Sequence, residues 1–128
     1  MTAEGRAARL RAAFERRILV LDGAMGTMIQ ARGLAAQDFG GPQLEGCNEH
    51  LNLTRPEVIA AIHDAYLEAG ADLVSSNSFG CAPYVLAEYG LEARCHEITL
   101  AAARLARQAA DRYSTSERPR FAVGAMGP

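Results

Sequence analysis

The chain has 128 residues, of which 49% are hydrophobic, so it suits one small folded domain or part of a larger one and not a disordered segment. Its net charge of -2 gives no electrostatic basis for binding nucleic acid, and no apolar run approaches the roughly 20 residues of a membrane span. The three cysteines are an odd number without a C-x-x-C pair, which predicts a reducing, cytoplasmic compartment and not a disulfide scaffold.

The first two predicted elements are a helix and a short strand. Residues Ala3–Arg16 are rich in alanine and arginine, which favour helix, and we expect Leu10 and Phe14 to pack inward. The aliphatic run Ile18–Leu21 has the composition of a buried parallel strand.

The strand runs directly into a turn that joins a carboxylate to glycine. A carboxylate can bind an ammonium group, and the open N–H groups around a glycine can bind a carboxyl group. Asp22, Gly23 and Ala24 are therefore candidate ligands for the zwitterionic head of an amino acid. Two alternatives stay open on these residues: an ordinary Asp-Gly turn, and a phosphate-binding loop over Gly23–Gly26, which the Asp22 charge disfavours.

A long irregular segment precedes the next helix. Met25–Leu53 contains too many glycines and prolines for a long helix, and its position after the candidate turn favours a functional loop. Thr54 and Pro56 have the pattern of a helix start, with Thr54 as the cap. We expect this helix to end at Gly70 and to leave His63 in solvent.

Two more strands follow, separated by helices. The second strand, Ala71–Asn77, becomes polar at its end, where Asn77 and Ser78 stand. A long helix over Leu91–Arg112 leads to a third strand that starts near Arg120. Helices between strands predict parallel pairing through right-handed crossovers. A (βα)8 TIM barrel needs eight strands and about 250 residues, so we expect an α/β fold made of its first three βα units, truncated after strand 3.

Four sequence segments occur together in one order. They are LDGAMGTMIQ from residue 21, NEHLNLTRPEVI from residue 48, AYLEAGADL from residue 65 and NSFG from residue 77. In these segments the chain resembles the homocysteine S-methyltransferase family, and most closely its cobalamin-dependent, methionine-forming members. The resemblance divides the chain into an N-terminal helix at 1–16 and a partial homocysteine-binding barrel domain at 17–128.

The resemblance implies an enzyme that transfers a methyl group to the sulfur of homocysteine. In the cobalamin-dependent members, methylcobalamin supplies the methyl group and is recharged by 5-methyltetrahydrofolate on other modules. A zinc ion keeps the sulfur deprotonated, which a free thiol with a pKa of about 8.5 is not at neutral pH. The alternatives are betaine or S-methylmethionine as the methyl donor, or a catalytically inactive binding fragment.

Site residues are carried over from the family by position. Asp22 would face the homocysteine ammonium, and the backbone of Gly23 and Ala24 would face its carboxylate. Asn77 and Ser78 would line the same pocket, with serine where the family has threonine.

The resemblance places the three zinc cysteines of the family on later strands, beyond this chain. We therefore expect no metal ligand, no catalytic residue and no bound cofactor among these residues. The cysteines present, Cys47, Cys81 and Cys95, lack zinc-like spacing, and Ser75 is given no role because relatives vary there. The implied partners are homocysteine, the remaining barrel strands, and the folate and cobalamin modules, with no nucleic acid and no membrane.

Overall fold

The computed structural model describes all 128 residues, Met1–Pro128, and combines seven helices with a parallel two-stranded sheet. The helices are α1 (Ala3–Arg16), α2 (Gly26–Gln30), α3 (Ala36–Phe39), α4 (Leu51–Thr54), α5 (Pro56–Glu68), α6 (Pro83–Leu86) and α7 (Cys95–Tyr113). The strands are β1 (Leu73–Ser75) and β2 (Phe121–Val123). Single 3-10 turns lie at Pro42–Leu44, Asn48–His50, Ala87–Tyr89 and Glu92–Arg94. None of the helices has both the length and the apolar character needed to cross a membrane.

The sheet confirms the α/β class and the parallel pairing. β1 lies beside β2 with Leu73 opposite Phe121, and α7 forms the crossover between them. The predicted first strand, Ile18–Leu21, is present only as one parallel bridge between Leu21 and Leu73. Ile18 is 89% exposed and Val20 is 54% exposed, so little apolar burial holds this segment in a longer ladder.

Helix α1 has the predicted bounds, and Thr2 caps its N-terminus by accepting the Gly5 N–H at 3.2 Å. No residue of α1 is buried, and Phe14 is 58% exposed. The expectation that Phe14 packs inward is therefore wrong. An apolar face made of Leu10 and Phe14 alone is too narrow to form a core against the sheet.

The main packing layer is formed by α5 and α7, which contact each other and β1. Their buried residues are Val58, Ile59, Ile62, His63 and Leu67 on α5, and Ile98, Ala102, Ala106, Ala109 and Ala110 on α7. The alanines of α7 let the two helices approach closely. A second cluster joins α5 to the short helices of the preceding loop, through Ile29, Phe39 and Leu51.

Helix α5 begins at Pro56, as predicted, but two other expectations about it are wrong. Thr54 is not its cap, because Arg55 occupies that position and the Thr54 hydroxyl instead donates to the His50 carbonyl oxygen at 3.4 Å. His63 is fully buried and not in solvent. Since α5 packs against the loop helices on one side and α7 on another, its buried face is wider than one apolar stripe.

A buried carboxylate joins the start of β1 to the segment after α1. Asp72 is 0% exposed and accepts two hydrogen bonds of 2.8 Å from the Arg17 guanidinium. The Val20 N–H donates to it at 3.0 Å, and Arg118 Nε lies 3.4 Å away. The Arg17 guanidinium holds the pKa of Asp72 well below its usual range, so the buried group is charged and paired.

Candidate functional site

The bridge between Leu21 and Leu73 brings Asp22 to the carboxyl end of β1. The Asp22 N–H donates to the Leu73 carbonyl oxygen at 2.9 Å. Its carboxylate accepts two hydrogen bonds from Ser75, one from the backbone N–H and one from the hydroxyl, both at 2.9 Å. Ser75, which was given no role, therefore positions the candidate carboxylate. The sequence contained one signal for this role of Ser75. Ser75 lies two residues before Asn77, and alternate side chains of a strand share a face.

The Asp22 carboxyl group is half-buried, and this shifts its protonation equilibrium. Burial raises the pKa of Asp22 above its ordinary value, and the two hydrogen bonds from Ser75 oppose that rise. A positive group next to the carboxylate would lower the pKa again, because an opposite charge favours the ionised form. Asp22 is thus suited to bind an ammonium group.

The turn after Asp22 presents free backbone donors. The N–H groups of Gly23 and Ala24 make no hydrogen bond within the protein. The Tyr66 hydroxyl donates to the Ala24 carbonyl oxygen at 2.7 Å and so attaches the turn to α5. A Cβ on Gly23 would lie 3.3 Å from that hydroxyl, so glycine leaves room for Tyr66 to reach the turn. In the sequence, Tyr66 is part of the family segment AYLEAGADL, and no role was predicted for it.

Asn77 is held by a reciprocal pair of amides. Its Nδ2 donates to the Asn48 carbonyl oxygen at 2.9 Å and to Asn52 Oδ1 at 3.0 Å. Asn52 Nδ2 in turn donates to the Asn77 carbonyl oxygen at 2.9 Å. Asn77 and Asn52 are 5% and 3% exposed. Both N–H bonds of the Asn77 side chain are therefore used to attach the end of β1 to the long loop.

Ser78 connects the carboxyl ends of β1 and β2. Its hydroxyl donates to the Ala125 carbonyl oxygen at 2.8 Å and lies 2.6 Å from the Ser76 hydroxyl. The Ala125 N–H donates to Ser76 Oγ at 3.2 Å. Since the Ser78 proton goes to Ala125, Ser76 donates to Ser78, and the chain of hydrogen bonds is complete.

The five candidate residues lie along one edge of the sheet but differ in what they can still bind. Asp22 contacts Ser75, two residues before Asn77, so the two candidates lie on neighbouring segment ends. Asn77 and Ser78 are buried and hydrogen-bonded within the protein. The carboxylate of Asp22 and the N–H groups of Gly23 and Ala24 retain capacity for a ligand.

The part of the long loop that follows Cys47 is attached to the same region. Glu49 accepts the Gly80 N–H at 3.0 Å, just beyond the end of β1. His50 is buried, and its Nδ1 lies 2.6 Å from the Phe39 carbonyl oxygen, so Nδ1 carries the proton and donates. These contacts attach the loop to the segment that follows β1 and to α3.

The three cysteines come together in space but do not suit a zinc ion. All three thiols are free, and they pack in one cluster with Leu86 and Ile98. Burial raises the pKa of the Cys47 thiol, and it raises the pKa of the Cys81 thiol to about 11, so both thiols are protonated at neutral pH. No group of three or more His, Cys, Asp or Glu side chains is placed to hold a metal ion.

Replacing Asn52 with alanine is expected to lower the free energy of unfolding by about 2 kcal/mol, because buried polar atoms of Asn77 would lose their partner. The matched control is Asn48→Ala, since Asn48 contacts Asn77 through its backbone oxygen, which the substitution retains. Urea unfolding of the three proteins measures the difference. Equal losses in the two variants would contradict a role for the amide pair.

Similarity to known proteins adds an independent line of evidence. The sequence pattern of the family described as homocysteine S-methyltransferase matches residues 19–128. The methionine synthases of Mycobacterium tuberculosis and Mycobacterium leprae are each 46% identical over 112 residues, which are 88% of this chain and 9% of those proteins. The metallated form of the Escherichia coli homocysteine methyltransferase MmuM has a TM-score of 0.75 at 29% identity, over 93% of this chain and 41% of that chain. Its oxidised form has a TM-score of 0.76 at 31% identity.

The family pattern covers both the candidate turn and the two strand ends, and the structural likeness extends over nearly all of the chain. The chain spans less than a tenth of the length of the curated relatives that it matches. The chain belongs to the homocysteine S-methyltransferase family.

Proposed function

We propose that this chain supplies the edge of the homocysteine-binding site in a longer enzyme that methylates homocysteine to methionine. The proposal covers a partial (βα)8 barrel domain at residues 17–128 after the helix at 1–16. Family membership supports the reaction class, and identity to methionine synthases supports the methionine synthase type. The rest of the barrel and the folate and cobalamin modules are, in this proposal, other parts of the same enzyme.

The observation that carries the proposal is the donor and acceptor pattern of the first turn. A carboxylate oriented by Ser75 stands beside two backbone N–H groups without partners, those of Gly23 and Ala24. This pattern complements an amino acid, whose ammonium would bind Asp22 and whose carboxylate would bind the N–H groups. A phosphate would meet repulsion from Asp22, so the phosphate-binding alternative is disfavoured.

Asn77 and Ser78 have an indirect role in this proposal. Their side-chain donors are used within the protein, so they hold the ends of β1 and β2 in register and do not donate to homocysteine. The pocket would then be shaped by backbone at these positions. Asn52 and Ser75 are the positioning residues that act beside them.

Our proposal for the methyl donor and the cofactors rests on sequence identity to relatives and on the properties of the three cysteines. Identity to methionine synthases favours methylcobalamin over betaine or S-methylmethionine as the donor. The three cysteines of this chain do not suit zinc, so a zinc ion would be held by other parts of the enzyme. Free, unpaired thiols agree with the cytoplasmic location that we propose.

Asp22→Asn in the enzyme that contains this chain is expected to raise the KM for homocysteine about tenfold to a hundredfold. The reason is the loss of a charge-assisted hydrogen bond to the substrate ammonium, worth about 1.5–3 kcal/mol. Steady-state kinetics with methylcobalamin, S-methylmethionine or betaine as the donor would also identify the donor.

The control for this experiment is Asp111→Asn, which removes the same charge from an exposed position on α7. It should leave the KM for homocysteine unchanged. An Asp22→Asn enzyme with the wild-type KM would contradict the proposed contact, and failure to methylate homocysteine with any of the three donors would support the inactive-fragment alternative.

A further inference from the structure

A cavity lined by arginine lies at the opposite edge of the sheet from Asp22. It has a volume of about 170 Å³, is open to solvent on one side and is bordered by α1, the C-terminal half of α7 and the segment that leads into β2. The charged residues of its lining are Arg6, Arg9, Arg107, Arg120 and Asp111. We refer to it as the arginine cavity. Because Arg120 directly precedes β2, the cavity lies at the amino end of the parallel sheet, whereas Asp22 and Asn77 follow the carboxyl ends.

Two guanidinium groups of this cavity have buried nitrogen atoms without a partner. Arg120 is 9% exposed and donates to the carbonyl oxygens of Leu67, at 3.4 Å, and Ala71, but its Nε makes no hydrogen bond. Arg107 donates to Asp111 at 2.7 Å through Nη2, and its Nε is likewise buried and unpartnered. A buried N–H without an acceptor is costly, so both guanidinium groups are short of acceptors where they lie, although a ligand in the cavity would not reach these two solvent-inaccessible Nε atoms.

The charge of the lining is also uncompensated. Four arginines and one aspartate leave three excess positive charges. Arg6 donates only to the Met1 carbonyl oxygen at 2.6 Å, Arg120 donates only to backbone oxygens, and Arg107 alone has a carboxylate partner. Burial lowers the pKa of Arg120, the neighbouring Arg118 and Arg17 charges lower it further, and the Asp72 carboxylate opposes these effects.

These features select one ligand chemistry. The planar N–H groups of arginine match the oxygens of a tetrahedral oxyanion, and a dianion offsets most of the excess charge. The volume is below the roughly 300 Å³ of sites that enclose drug-sized ligands, so the bound group is small. We propose that the arginine cavity binds a phosphate group, either as inorganic phosphate or as part of a small phosphate monoester. This site is separate from the homocysteine proposal and does not depend on it.

Isothermal titration calorimetry tests this with the 128-residue chain at low ionic strength. We expect inorganic phosphate to bind saturably with one site per chain, and the double variant R9Q/R107Q to bind at least tenfold more weakly. Both residues line the cavity outside the apolar core, Arg9 makes no hydrogen bond or ion pair, and Arg107 loses only its pair with the exposed Asp111, so the fold should be retained. A parallel titration with glycerol 3-phosphate distinguishes inorganic phosphate from a phosphate monoester as the ligand. A site with room only for phosphate would exclude the ester, whereas a site with room beside the phosphate would bind it.

The matched control is R11Q, which removes the same charge from an exposed position of α1 outside the cavity. It should bind phosphate as the wild type does. Equal weakening by R11Q, displacement by sodium chloride at matched ionic strength, or no saturable binding would each overturn the proposal. Loss of phosphate binding when the chain is part of a longer polypeptide would overturn it as well, because another segment would then occupy the cavity.

Discussion

Replacing Asp72 with asparagine is expected to lower the free energy of unfolding by about 3 kcal/mol. The fully buried carboxylate accepts hydrogen bonds from Arg17, from the Val20 N–H and, at longer range, from Arg118. The uncharged asparagine amide cannot balance the positive charges of the two guanidinium groups. Its NH2 group would also face their N–H donors, and two donors cannot bond to each other. Removing one partner of a buried ion pair typically costs about 3–5 kcal/mol, and the lower end applies because the Arg17 side chain is 41% exposed.

Urea unfolding at pH 7 measures this loss, with Asp111→Asn as the matched control. Asp111 also pairs with an arginine, but its side chain is 65% exposed, so the control should lose less than about 0.5 kcal/mol. If Asp72→Asn lowered the free energy of unfolding by less than about 1 kcal/mol, the Arg17–Asp72 pair would not be what attaches the segment after α1 to β1. The low pKa of Asp72 also means that its contribution is present above the unfolded pKa, near 4, and is lost as the pH falls further.

Lowering the pH from 7.5 to 5.0 is expected to reduce the free energy of unfolding by about 2 kcal/mol through His63 alone. The imidazole is 0% exposed and neither ring nitrogen has a partner, so burial lowers its pKa from 6.5 to about 4. The neighbouring Asp64 raises this pKa and Arg112 lowers it, each less than burial does. Below the unfolded pKa, the unfolded chain binds a proton that the folded chain does not, so stability falls until the pH reaches the folded pKa.

His63→Leu is the variant that tests this account. Leucine has a similar volume and no unpaired polar atom, so the variant should be at least as stable as the wild type at pH 7.5 and should lose the His63 contribution to pH dependence. The matched control His96→Leu changes an exposed histidine of α7 and should retain the wild-type pH dependence. Urea unfolding at the two pH values provides the comparison. An unchanged pH dependence in His63→Leu would refute the assignment.

Local sequence patterns predicted the elements that depend on neighbours along the chain. The bounds of α1, the start of α5 at Pro56 and the parallel order of β1 and β2 all follow from helix propensity, proline geometry and the alternation of strands with helices. The same reasoning failed for Phe14, and it placed the first strand correctly beside β1 but made it too long, because burial of those residues depends on partners that the pattern does not contain.

The same distinction between neighbouring and distant residues applies to the candidate site. The turn at Asp22 is recognisable because a carboxylate and glycine follow an aliphatic run, and the family segments are contiguous in the chain. The side chains that support it come from distant parts of the chain, since Ser75 lies 53 residues from Asp22, and Asn52 lies 25 residues from Asn77. Hydrogen bonds over such separations depend on how the loop and the strands meet.

The sequence by itself determined the family, the order of helices and strands, and the position of the candidate turn at Asp22, because each is encoded by residues close together in the chain. Only the tertiary structure decided that His63 is buried, that the three cysteines share one cluster and that four arginines and one aspartate line a cavity at the amino end of the sheet. The physical reason is that burial and charge compensation are properties of surfaces in contact, and those surfaces are formed by segments distant in sequence.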